Sequence, residues 1–252
     1  MNAATIYVAT HTNFMAPNDK NYIPIAVGKT LFPDRTVYPG DNRGENISLL
    51  NEYFCEMTLL YWVWKNTSDE LVGICHYRRY FGYQNKFIDL YSMNNSDDQN
   101  IMKKLTPIAA SDDFWELQHG ADIILPSPFD FGHPLIINYD DSHIAHDLFL
   151  CRKIIKKLHP EYIDAFDFVI LHTKKTYLCN MIVTRRAIFS EYCAWVFSIL
   201  LEMARGDFYK FYDKYQKRVF GFLAERLMNV WMCYNRDRFC IAERELVNVQ
   251  TV

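Results

Sequence analysis

Short apolar runs alternate along this chain with longer stretches in which apolar residues recur every three or four positions, and that alternation admits few folds. Ile6 to Thr10, Leu71 to Cys75, Ile123 to Leu125 and Tyr177 to Thr184 read as strands. A helix is expected to start near Asn46 or Ser48, either of which would cap it, and to run to about Asn66. Its stripe is Leu50, Phe54, Met57, Tyr61 and Trp64, and Lys65 suits its last turn. Further helices are expected over 141–158 and 186–204, and a last one over 219–235 carries Phe220, Leu223, Leu227, Val230, Trp231 and Tyr234 on one stripe. Strands joined by helices predict an α/β sandwich, with helices on both faces of a mainly parallel sheet. The 252 residues suit one domain, residues 1–252, with a single sizeable core. The polar stretch 92–100, SMNNSDDQN, reads as a solvated loop.

Several function classes are disfavoured. A net charge of −3 argues against wholesale nucleic-acid binding, which needs a basic surface. Seven scattered cysteines, odd in number and without a CxxC pair, suit reduced thiols and a cytoplasmic setting better than disulfides or structural zinc. The N-terminus lacks the pattern of a secretory signal, and no run approaches the ~20 apolar residues of a membrane span.

Five segments carry side chains suited to chemistry. GICHYRRYF, 73–81, ends an apolar strand in His76, Arg78 and Arg79. Strand alternation would point Cys75, Tyr77 and Arg79 one way and His76, Arg78 and Tyr80 the other. A guanidinium fork suits phosphate, although pairing with surface carboxylates is the plainer reading of two arginines. GDNRGENIS, 40–48, places Asp41, Asn42 and Asn46 before a helix amino end suited to an anion or ribose, or else is a structural loop with a cap. In DDSHIAHDL, 140–148, a continuous helix would set His143 and Asp147 on one face, as a general base with its orienting carboxylate or as a surface contact. Glu225 and Arg226 project away from the stripe of the last helix, toward solvent or a cleft. Finally, GDFYKFYDKYQKR, 206–218, would line Lys210, Lys214, Lys217 and Arg218 along one helical face suited to anionic lipid headgroups, or form an ordinary surface helix.

Taken in order, IYVATH, YIPIAVG, GDNRGENIS, NEYFCEMTLLYWVWKN, VGICHYRRYF, ADIILP, HIAHDL, CNMIVTRRAIFSEYCAWVFSIL and RVFGFLAERLMNVW resemble a bacterial family long catalogued as a domain of unknown function. That family is associated with glycosyltransferases of capsule, exopolysaccharide and O-antigen synthesis, and the resemblance spans roughly residues 5 to 235. It implies a GT-A-like, Rossmann-type sandwich in which about 1–126 holds a nucleotide sugar and about 127–252 the acceptor. On that reading Thr10, His11, Asp41, Asn42 and Asn46 are candidates for the nucleotide, and His76, Arg78 and Arg79 for its diphosphate. HYRRYF stands where many GT-A enzymes keep an Asp-x-Asp motif; its lack of an acid argues against a tightly held Mg²⁺ or Mn²⁺. Two sites compete as the base for the acceptor hydroxyl, Glu225 and the His143/Asp147 pair, while Asn180 and Arg226 are candidates near the sugar or acceptor. The implied donor is a uridine diphosphate sugar, including galactose as pyranose or furanose. The implied acceptor is a saccharide, lipid-linked at the inner face of the plasma membrane. A non-catalytic nucleotide-sugar or carbohydrate-binding module of the same fold is the alternative, and a phosphotransferase is disfavoured by the lack of a Walker-type lysine loop.

Overall fold

Strand β1 (Thr5–Thr10) organises the sheet, pairing in parallel with β2 (Tyr22–Ala26) on one side and β3 (Leu71–His76) on the other. The computed structural model describes residues 3–82 and 108–249, so the loop expected over 92–100 lies outside the described residues. Beyond β3 the sheet continues through β8 (Ile182–Arg185) to β5 (Ile123–Pro126) and then β9 (Ile241–Arg244). β8 runs antiparallel between β3 and β5, whereas β5 and β9 are parallel. The parallel ladders hold five, five and four residue pairs, so most of the paired backbone is parallel. β4 (Arg79–Phe81) folds back from β3 and pairs with β10 (Leu246–Asn248), and a small separate ladder joins β6 (Phe129–Asp130) to β7 (Lys175–Thr176).

Period-two alternation splits the sheet's side chains between two cores. Tyr7, Ala9, Val72, Ile74, Ile123, Leu125 and Ile182 face a core built with the α-helices. Ile6, Val8, Cys75, Ile124 and Val183 face the other, covered by Phe114, Leu117 and Val247 around a short helical turn at Trp115–Gln118.

Seven α-helices are described: α1 (Asn51–Phe54), α2 (Met57–Asn66), α3 (Leu135–Ser142), α4 (His146–Leu158), α5 (Ile163–His172), α6 (Arg186–Ala204) and α7 (Val219–Tyr234). The spans expected over 186–204 and 219–235 form almost as read. By length and composition α6 could cross a bilayer. Here it packs against α2, α4 and α7, burying Phe189, Trp195, Phe197 and Leu200.

Two expected helices are each broken, and both breaks shape the site. The helix expected from about 46 to 66 stops at Phe54 because Cys55 takes φ 51°, ψ −130°, and restarts at Met57. Asn51 holds the break with its side-chain amide, which donates to the Cys55 carbonyl at 2.8 Å and to Thr58 Oγ1 at 3.1 Å. The stretch expected as one helix over 141–158 is two, since His143 ends α3 in extended backbone and α4 begins at His146.

Candidate functional site

The carboxyl ends of β1, β2 and β3 lie side by side, where strands of an α/β sheet present ligand sites. Antiparallel β8 brings Leu178 and Cys179, which precede it, to the same edge. Above this edge lies a cleft of about 1080 Å³, closed on the far side by α3, α7 and the segment before α7.

At the floor, β3 and β4 meet in a two-residue hairpin turn, Tyr77-Arg78, that makes His76 and Arg79 cross-strand partners. The alternation expected for residues 75–80 is therefore corrected. Reversal of the chain, instead of its continuation, brings His76, Arg78 and Arg79 all onto the cleft. His76 Nε2 donates to the Cys179 carbonyl at 2.5 Å, leaving Nδ1 as its acceptor. Arg78 is exposed over the Tyr77 ring, 5.0 Å from its centroid. Arg35, also exposed, lies 3.6 Å from the Phe32 centroid. Arg218 reaches in to donate through Nε to Cys55 Sγ at 3.4 Å. Arg35, Arg78, Arg79 and Arg218 form no ion pair among the described residues.

Burial and, after it, these cations lower the pKa of the imidazoles beside them. His11, in edge contact with Tyr77, has its pKa lowered by partial burial and then by Arg35, Arg78 and Arg218. His76 is lowered mainly by burial. Both imidazoles are therefore neutral near pH 7, and the positive charge of the floor is carried by the arginines.

The opposite wall carries the carboxylates. Glu225 and Arg226 face the cleft, as their position off the apolar stripe allows. Glu225 Oε1 accepts the Cys179 N–H at 2.8 Å, and Oε2 accepts Arg226 Nη1 at 2.9 Å. Arg226, 4 % exposed, donates its other arm to Asn138 Oδ1 at 2.7 Å. Burial raises the Glu225 pKa against the opposing pull of Arg226. Glu56, placed by the break at Cys55, also lines the cleft and accepts from Asn180 Nδ2 at 2.7 Å.

Other expected site residues lie elsewhere. Thr10 is buried and donates to the Thr12 carbonyl at 2.6 Å, outside the cleft lining. Asp41 is fully buried, its carboxylate taking the Gly28 and Lys29 N–H groups at 3.0 and 3.2 Å and the Ser48 hydroxyl at 2.5 Å. It pins the loop after β2. Asn42 is exposed, and Asn46 closes its own turn, donating to the Gly44 carbonyl and accepting the Ser48 N–H. Asn180, also fully buried, sits behind the wall at φ 50°, holding Glu56 and the Gly221 carbonyl.

The expected helical pair of His143 and Asp147 is corrected, because the chain turns between them. His143 lines the cleft, whereas Asp147 is buried and accepts the Tyr212 hydroxyl at 2.7 Å. His143 is pushed down to about 4 by burial and Arg226. The single basic helix expected over 206–218 is likewise two short helical turns, Phe208–Phe211 and Gln216–Arg218. Lys214, Lys217 and Arg218 line the cleft, while Lys210 pairs with Asp207 at 2.7 Å. Asp213 drives this bend, its Oδ1 accepting the N–H groups of Tyr215 and Gln216 at 2.7 and 2.8 Å.

Sequence reading passes over Glu56, Arg35 and Asn138. A carboxylate inside an uninterrupted helical stripe carries no sign of a break, and Asn51 four residues before Cys55 is the one local cue. No group of three or more His, Cys, Asp or Glu suited to a metal ion occurs among the described residues. Of the cleft's acids, Glu56 and Glu225 are already engaged by amide, N–H and guanidinium donors, which is a poor fit to a divalent cation.

The profile of the family described as "Domain of unknown function (DUF4422)" matches residues 5–236. No curated protein matches the sequence. A solved apo structure of the bifunctional glycosyltransferase WbbM superposes with a TM-score of 0.87 at 28 % identity, over 99 % of this chain and 46 % of the WbbM chain. The chain thus spans about half the length of that protein, and it shares its α/β sandwich with that portion of the glycosyltransferase.

Proposed function

Because the chain belongs to the DUF4422 family and shares its fold with half of a bifunctional glycosyltransferase, we propose that it transfers a sugar from a nucleoside-diphosphate donor to a saccharide acceptor. The observation that carries this reading is the floor of the cleft. Arg35, Arg78 and Arg79 line the sheet edge and Arg218 reaches in from the segment before α7, all four without carboxylate partners among the described residues, and Glu56 and Glu225 lie in the same cleft. A diphosphate is the ligand such a floor suits, because each guanidinium offers paired, charge-assisted donors.

In the proposed reaction the acceptor oxygen bonds the anomeric carbon as the phosphate oxygen departs with the bonding electron pair. Arg78, Arg79, Arg35 and Arg218 take up the charge that grows on the diphosphate. Glu225 takes the acceptor proton. Its pKa lies above the ordinary carboxylate range, which strengthens it as a base, and each of its oxygens keeps a lone pair beyond the hydrogen bonds to Cys179 and Arg226. Arg226 and Asn138 fix its position. A uridine nucleotide, galactose as the moved sugar and a surface-polysaccharide acceptor are the finer form of this proposal. They rest on the sequence resemblance alone.

Calorimetric titration with UDP, with and without Mn²⁺, tests the floor. Arg78→Ala and Arg79→Ala should each weaken binding by roughly tenfold to a hundredfold, the worth of a charged hydrogen bond, and leave thermal stability nearly unchanged. Unchanged affinity in both variants refutes the phosphate assignment. Glu225→Gln should bind UDP normally and hydrolyse UDP-hexose at least 100-fold more slowly. Binding without turnover in the wild type would instead mark a nucleotide-sugar-binding module.

A further inference from the structure

The wall carried by α3, α7 and the turn before α7 is aromatic, and one of its rings, Tyr215, lies open. Phe222 of α7 stacks on the His143 imidazole with centroids 3.9 Å apart and planes 24° from parallel. Tyr215 continues the stack, its centroid 5.8 Å from His143 and 5.3 Å from Phe222. Tyr215 is 51 % exposed. The turn that carries this ring is fixed in place. Asp213 caps the two N–H groups of its turn, and the Gln216 amide ties that turn to the Ser142 carbonyl at 3.0 Å. Rigid, pinned aromatics lose little entropy on binding.

The chemistry next to the rings narrows the ligand. His143 Nδ1 is buried without a hydrogen-bond partner. Asn138 and Ser142 line the cleft beside it. A flat apolar face edged by hydrogen-bonding groups suits a sugar ring, which offers C–H bonds on its faces and hydroxyls around its rim. The wall is built by α3, α7 and the turn before α7, all from the second half of the chain, and Glu225 lies one helical turn beyond Phe222 on α7. We infer that Tyr215, backed by Phe222 and His143, forms the subsite for the acceptor sugar, which lies across the open Tyr215 ring and presents its hydroxyl to Glu225. This rests on the glycosyl-transfer reading above and adds the binding mode of its second substrate. On this assignment His143 supports the aromatic wall and is not the base.

Saturation-transfer NMR with methyl β-galactopyranoside and methyl β-galactofuranoside, each at millimolar concentration with UDP present, tests it on the full chain. In the wild type, saturation should pass from aromatic protons to the ring C–H protons of at least one glycoside. Tyr215→Ala and Phe222→Leu should each cut that transfer at least fivefold while the UDP dissociation constant moves less than twofold. Because Phe222 is partly buried, Tyr215→Ala, at an exposed position, is the variant that separates a binding loss from misfolding. No transfer to either glycoside in the wild type overturns the inference, as does transfer that survives Tyr215→Ala. So does loss of saturation at the uracil protons in Tyr215→Ala, which would put the nucleobase on this wall. Failure of UDP to bind at all would instead sink the donor reading, and glycoside transfer can still be read in that case.

Discussion

Replacing Arg226 by Met removes the guanidinium that pairs with Glu225, together with its bond to Asn138 and its place over the Tyr139 ring. Glu225 Oε2 then loses its donor while Oε1 keeps the Cys179 N–H. A half-paired carboxylate on this wall has two options: stay ionised at a cost of several kcal/mol, or take up a proton. The second option caps the first. Starting from the ordinary value of 4.5, holding an acid protonated costs about 3.4 kcal/mol at pH 7 and about 0.7 kcal/mol at pH 5. Glu225 is already raised in the wild type, and losing Arg226 raises it further. A raised carboxylate contributes stability below its unfolded pKa and loses it as pH rises through the folded value. The variant should therefore be less stable than wild type by at most about 3 kcal/mol at pH 7, and by under about 1 kcal/mol at pH 5. Urea unfolding at the two pH values, with tryptophan fluorescence as the signal, measures it. The double variant Glu225→Gln/Arg226→Met should recover most of the pH 7 loss. A deficit equal at both pH values, together with no recovery in the double variant, would refute a buried charge as its cause and point to lost packing.

Two further outcomes follow from the same wall. His143 sits at about 4, below its ordinary value of 6.5, so its contribution is fully present above pH 6.5 and is lost as pH falls through 4. The acid limb of the urea-derived stability curve should drop by up to about 3 kcal/mol over that window, and His143→Phe should flatten it. Gly221 faces the break before α2, and a methyl group there would lie 3.2 Å from both Cβ and Sγ of Cys55. Overpacking at about 1–3 kcal/mol outweighs the ~1 kcal/mol gain in helix propensity, so Gly221→Ala should lower stability; a rise in melting temperature would show that the break gives way.

Much of the fold is legible in the sequence because it rests on periodicity. α6 and α7 declare themselves by long apolar stripes, and β1, β3 and β5 by short apolar runs ending in polar residues or proline. What the sequence conceals is where a pattern continues while the backbone does not. The stripe from Leu50 to Trp64 passes through Cys55 without interruption, yet the left-handed backbone there ends one helix and turns Glu56 to the cleft. Likewise nothing in HYRRYF distinguishes a continuing strand from a hairpin, since the tight turn lacks the Asn-Gly or Gly that usually marks one. His11, His76, Arg78, Arg79, Glu225 and Arg226 are picked out by sequence and do meet at one cleft. Asp41 and Asn46 are equally suggestive as letters, and they serve the loop that contains them, because a short polar side chain satisfies nearby N–H groups as readily as a ligand.

The strand order has a consequence for how the protein is made. β8 must slot between β3 and β5, some hundred residues after β3 has emerged from the ribosome, and β9 and β10 complete the ladders on β5 and β4 later still. A nascent chain halted before residue 182 lacks the strand that joins β3 to β5, and one halted before residue 241 still has open edges on β4 and β5, so unpaired strand edges persist through much of synthesis.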